Sequence, residues 1–97
     1  MTVTEKYIKL LTDCLPKLKN DFGVTGLAIF GSVARGDSNK DSDLDILVDM
    51  PPKILLMSAL KNYLEQNLNT SVDLIRRHSH LSHSFKLQIS KDAIRIL

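Results

Sequence analysis

The segment Asp43-Leu44-Asp45-Ile46-Leu47-Val48-Asp49, closed by Pro51 and Pro52, constrains this chain more than any other stretch. In an extended strand successive side chains alternate faces, so Asp43, Asp45 and Asp49 share one face while Leu44, Ile46 and Val48 occupy the other. Asp is poorly suited to strands, and two on one face, about 7 Å apart, repel each other unless they are solvated or neutralised by cations. The two prolines cannot donate to a ladder and stop the strand.

The same region dominates the charge map. Residues 37–49 hold Asp37, Asp41, Asp43, Asp45 and Asp49 against Lys40, whereas residues 76–97 hold Arg76, Arg77, Lys86, Lys91 and Arg95 against Asp92. The formal total of +2 hides this division and by itself points to no nucleic-acid footprint. The basic tail is suited to an acidic partner or a nucleotide's phosphates, an attraction that salt weakens. At 97 residues the chain is expected to form one domain over 1–97, with an open cleft in place of an enclosed cavity. Its apolar runs (Leu27 to Phe30, Ile54 to Met57) are far too short to span a bilayer. With no basic-then-apolar leader at its start and a lone Cys14, the expected compartment is the reducing cytoplasm, with no membrane association.

Around the acidic strand the periodicities predict alternating helices and strands. Ile8, Leu11, Leu15, Leu18 and Phe22 make one apolar stripe, predicting a helix over 4–21 that Pro16 should break or kink near Cys14 and Leu15 and that Gly23 ends. Leu27 to Phe30 reads as a buried strand running into Gly31, with Ser32 as the N-cap of a helical turn through Val33, Ala34 and Arg35. Gly36 to Ser42 reads as a polar loop. A second amphipathic helix is predicted over 54–68, a strand over 71–75, and a last helix from Ser82 to Ala93, where Phe85, Ile89 and Ala93 recur every four residues. Ile94 to Leu97 is a candidate closing strand. The pattern is that of a compact α/β unit.

Three features carry chemistry. Gly31-Ser32 lies at a strand-to-helix turn, where a glycine admits a phosphate close to the backbone and the hydroxyl can donate to it. Asp43 and Asp45 can turn inward to bridge Mg²⁺, which prefers carboxylate and phosphate oxygens, and two such ions about 4 Å apart can activate an attacking hydroxyl and stabilise a leaving oxygen. Asp73 interrupts the apolar strand Val72-Asp73-Leu74-Ile75. Singly, each has a plainer explanation: a turn, a solvated edge face, a strand-end carboxylate. Together they form Gly-Ser-x10-Asp-x-Asp with a later isolated Asp.

That pattern resembles the nucleotidyltransferase superfamily related to DNA polymerase beta, and most closely its minimal nucleotidyltransferase (MNT) branch. The resemblance runs through Phe30-Gly31-Ser32-Val33-Ala34-Arg35-Gly36-Asp37, Asp41 to Val48 and Val72 to Ile75. It extends outward to Leu15-Pro16, Phe22-Gly23-Val24 and the closing Ile89 to Ile94, covering nearly the whole chain. It implies a small polymerase-beta-like fold with a mixed sheet of three to four strands. It further implies that Asp43 and Asp45 bind both Mg²⁺ ions, that Asp73 completes one of them and helps deprotonate the acceptor, and that Gly31 and Ser32 hold the terminal phosphates of ATP. Arg35 in Gly-Ser-x-x-Arg-Gly has two readings, a phosphate contact or a salt bridge to Asp37 or Asp41.

The short members of that branch commonly serve as antitoxins to a HEPN ribonuclease, binding it and, where active, transferring AMP to its tyrosine. The resemblance therefore implies transfer of a nucleoside monophosphate to a protein hydroxyl. The competing readings are an antitoxin that only binds and a small-molecule nucleotidyltransferase working with a partner chain. His78, His80 and His83 read as a solvated connector, Cys14 as a packing residue, and Asp49 as solvated at its strand end before the prolines.

Overall fold

A computed structural model describes residues 2–37, 43–78 and 81–97. The first helix, α1, spans Val3–Phe22 without a break. The Thr2 hydroxyl caps it by accepting from the Glu5 amide at 3.1 Å, and Gly23 ends it in the left-handed conformation at φ 68°. The expected break at Pro16 does not occur. Pro16 lies on the exposed side of the helix, so the hydrogen bond lost at the Thr12 carbonyl falls where water can replace it.

Four strands follow a β3-β2-β1-β4 order: β1 (Gly26–Phe30), β2 (Leu44–Asp49), β3 (Val72–Arg76) and β4 (Ile94–Arg95). β1 runs antiparallel to both β2 and β4, while β2 and β3 are parallel. A parallel pair needs a crossover, and α3 (Ile54–Leu68) supplies it. The sheet is therefore mixed, as the resemblance implied. Asp43 stands one residue before β2 and Ser71 one before β3, so both strands begin a residue later than their sequence patterns suggest.

Alternation sorts the two faces. Leu27 and Ile29 of β1, Leu44, Ile46 and Val48 of β2, and Val72 of β3 join Leu11, Leu18 and Phe22 of α1 and Leu60, Leu64 and Leu68 of α3 in the main core. Phe22 meets Tyr63 across the α1–α3 contact with ring centroids 5.6 Å apart, and Cys14 packs at the edge of this core. On the opposite face Ala28, Phe30 and Leu47 meet Ile89 of α4 (His83–Asp92), whose Ser82 hydroxyl accepts from the Phe85 amide. Phe85 stands edge-on to Phe30 at 5.7 Å. The acidic face of β2 is thus only partly covered. Among the described residues no helix is long and apolar enough to cross a membrane.

Candidate active site

The candidate residues meet where β1 ends. Gly31 leaves the strand at φ 74°, a conformation that side chains disfavour, and begins the short α2 (Gly31–Arg35). Phe30 occupies the N-cap position with no side-chain cap, so Ser32 lies inside the first turn and is not the cap its sequence suggests. The start of the helix lies two residues earlier than expected, at Gly31 with its positive φ. Gly36 ends α2 at φ 81°, donating to the Ser32 and Val33 carbonyls. The Thr4 hydroxyl of α1 donates to the Val33 carbonyl at 2.5 Å and pins the turn from behind.

Register then assembles the carboxylates. Asp45 pairs with Phe30 on one side and with Asp73 on the other, so Asp45 and Asp73 are direct neighbours on adjoining strands and project to the same face. Asp43, two residues upstream, completes the group. The Asp45 carboxylate lies against the backbone of Gly31 so closely that any Cβ there would collide with it. Gly31 therefore has two local tasks, adopting the left-handed turn and leaving room for Asp45. The second is invisible in sequence because it depends on the β1–β2 register.

Asp43 and Asp73 are exposed and Asp45 is half-buried. The Asp45 pKa is raised, first by burial and then by the charges of Asp73 and Asp43, with Arg35 opposing. Among the described residues no three acidic, histidine or cysteine side chains already converge on one point. The carboxylates flank an open face. Their donor set still suits Mg²⁺: hard oxygens only, on one face, with like charges raising the pKa of the central member.

Arg35 forms the ion pair with Asp37 that the sequence allows, Nε to Oδ2 at 3.2 Å; Asp41 lies outside the described residues. It also reaches Asp92 of α4, Nη1 to Oδ2 at 3.3 Å. This second partner, 57 residues away, left no signal in local spacing. Its carboxylate is well sheltered, 14% exposed against 61% for Asp37. Asp49 is not simply solvated: Arg77 Nε stands 3.1 Å from its Oδ1. A groove of about 850 Å³ lies elsewhere on the sheet, and none of the three candidate carboxylates lines it. Of the three histidines set aside, His80 lies outside the described residues and His83 opens α4.

A carboxylate pair on adjoining strands beside a glycine turn, carried by a four-stranded mixed sheet, is the framework of a polymerase-beta-like nucleotidyltransferase. Residues 13–97 match the family Polymerase beta, Nucleotidyltransferase, and the chain belongs to it. The protein adenylyltransferase MntA of Thermococcus cleftensis is 37% identical over 97 residues, spanning 98% of this chain and 93% of that protein. A solved structure assigned as a minimal nucleotidyltransferase superposes with a TM-score of 0.76 at 31% identity, over 97% of this chain and 95% of the other. A mutant of the toxin–antitoxin complex MntA–HpeT superposes with a TM-score of 0.65 at 26% identity, over 100% of this chain and 73% of its counterpart.

Proposed function

We propose that residues 1–97 form one minimal nucleotidyltransferase domain that transfers AMP from ATP to a hydroxyl of a protein acceptor, and that this acceptor is a HEPN-type ribonuclease toxin that the chain neutralises. The observation that carries the reading is the continuous register from Phe30 through Asp45 to Asp73, which puts two carboxylates of adjoining strands beside the Gly31 turn. The protein-adenylyltransferase name of the Thermococcus relative and the toxin–antitoxin nature of the MntA–HpeT neighbour support the choice of acceptor. The compartment is the cytoplasm, where ATP is available and the lone Cys14 stays reduced.

In this reading Asp43 and Asp45 would hold two Mg²⁺ ions and Asp73 would complete the binding of one of them. Bound there, Mg²⁺ supplies positive charge against the triphosphate and eases ionisation of the attacking hydroxyl. The Gly31 and Ser32 amides and the Ser32 hydroxyl donate to the terminal phosphates, and Arg35, near enough to lower the Asp45 pKa, adds positive charge beside them. The Asp73 carboxylate, exposed at the open side, accepts the proton of the acceptor hydroxyl. That oxygen bonds to the α phosphorus while the bond to the bridging oxygen breaks and pyrophosphate leaves. Little covalent chemistry is asked of the protein, so positioning and charge compensation do most of the work.

The test is intact-mass spectrometry of the host protein that co-purifies with this chain, after incubation with ATP and Mg²⁺, with wild-type protein and with Asp45→Asn. A mass gain of one or more AMP groups that disappears in Asp45→Asn supports the reading. A stable complex with no mass gain would overturn it in favour of an antitoxin that acts by binding alone, and transfer only to small alcohols would overturn the protein acceptor.

A further inference from the structure

Helix α4 divides the acidic face of the sheet. Phe85 and Asp92 point to Phe30 and Arg35 on the flank of the candidate active site. Lys86 and Ser90 of α4, with Ala93 just after its end, line the large groove on its other flank. The groove floor is apolar, made by buried Ala28, Leu47 and Ile89. Arg77 beyond β3, Lys86 on α4 and Arg95 on β4 bring three cationic side chains to it from three elements. Of these, Arg77 is paired with Asp49, which also lines the groove, and Arg95 Nε donates to the Leu97 carbonyl at 3.1 Å.

Two cations have positions fixed by the backbone. The Asp49 carboxylate leans over Gly26 on β1 and draws the Arg77 guanidinium with it. Arg95 pairs with Ala28, two residues along β1 and on the same face. The rim charges therefore gather around one apolar floor. A bare phosphate has no use for such a floor, and no Phe, Tyr or Trp among the described lining residues offers a platform for nucleic-acid bases. Carboxylates alternating with aliphatic side chains match both the rim and the floor.

Accordingly, we propose that this groove docks an acidic, aliphatic-bearing peptide segment of the protein acceptor, apart from the residues that carry out transfer. The proposal rests on the protein-acceptor reading and adds where the acceptor is gripped. Distance favours it: Leu47 and Ala28 each lie two residues from Asp45 and Phe30, about 7 Å along their strands. A segment seated on the floor is therefore close to the carboxylates without covering them.

The test uses the full chain and fluorescence anisotropy with a labelled ten-residue peptide of alternating Glu and Leu. An all-Glu peptide and a ten-nucleotide single-stranded RNA of equal label serve as competitors. The alternating peptide should bind wild type, weaken at least tenfold in the Lys86→Glu/Arg95→Glu variant, and bind Asp45→Asn with unchanged affinity. Circular dichroism and retained nucleotidyl transfer to a small alcohol show that the double variant is folded. Unchanged affinity in that variant, equal binding of the all-Glu peptide, stronger binding of the RNA, or no binding of the alternating peptide overturns the proposal. Peptide binding by a wild-type protein that transfers no AMP would keep the groove and remove the transferase reading, so the two failures are distinguishable.

Discussion

Asp45 and Asp49 occupy the same face of the same strand, and each leans over a glycine of the neighbouring strand or its turn, Asp45 over Gly31 and Asp49 over Gly26. Their surroundings differ. Asp49 has Arg77 at 3.1 Å, whereas Asp45 has Asp73 across the parallel ladder and Asp43 upstream, and its proton affinity is raised. Strand position and backbone geometry therefore do not make a carboxylate a candidate metal ligand. The charges beside it do, and a carboxylate surrounded by others is held ready for a cation.

Substituting each carboxylate tests that contrast most severely. Asp45→Asn should lower AMP transfer about 10³-fold or more, the scale expected when a group serving the developing charge is removed. Asp49→Asn should stay within about threefold of wild type, because it loses only a partly exposed ion pair worth about 1 kcal/mol or less. Initial rates with labelled ATP at saturating acceptor give both numbers. Comparable losses at the two positions would end the distinction.

The two glycines offer the next test. Gly31→Ala places a Cβ in a left-handed turn and against the Asp45 carboxylate, so about 1–3 kcal/mol of stability and about 10²-fold of transfer should be lost together. Gly26→Ala meets the Asp49 side chain, with no left-handed strain, and should cost about 1 kcal/mol in urea unfolding while transfer stays near wild type. A smaller effect is expected at Asp92, which touches no candidate ligand and acts through Arg35. Asp92→Asn should raise the KM for ATP a few-fold with kcat nearly unchanged, and Asp92→Glu should restore much of the loss.

Much of this arrangement is legible in the sequence because it is local. The alternation of Leu44, Ile46 and Val48 announces a strand with one buried face, the Leu60, Leu64 and Leu68 spacing announces α3, and Gly23 announces the end of α1. Pro16 misleads because propensity says nothing about which side of a helix faces water. Ser32 misleads because the backbone at Gly31 takes over the start of α2. The Asp45–Asp73 adjacency, the Arg35–Asp92 bridge and the groove behind α4 are invisible for another reason. Each depends on the register or packing of separate segments, 28 residues apart for Asp45 and Asp73 and 57 for Arg35 and Asp92, and no period within one segment encodes that.

The smallest expected effect separates the two carboxylates by sign. Burial and the neighbouring acids disfavour ionised Asp45, so the native state keeps its proton to a higher pH than the unfolded chain does. Below the ordinary Asp range, near about 3.9, both states are protonated and Asp45 costs the fold little. Between the ordinary Asp pKa and the raised native one the unfolded chain gives up a proton that the native state keeps, so stability falls over that window and stays at its reduced level above it. In metal-free buffer at pH 7, Asp45→Asn should therefore melt slightly above wild type, the difference shrinking as pH drops toward the ordinary Asp range. Asp49→Asn, which loses its Arg77 pair, should melt at or below wild type. Adding Mg²⁺ should then raise wild type and leave Asp45→Asn behind, because a ligand that binds only the native state stabilises only a protein able to hold it. Thermal scans across pH with and without Mg²⁺ measure all three signs. A wild type that melts above Asp45→Asn without metal would mean that the cluster is already neutralised within the chain, and the case for a cation there would fail.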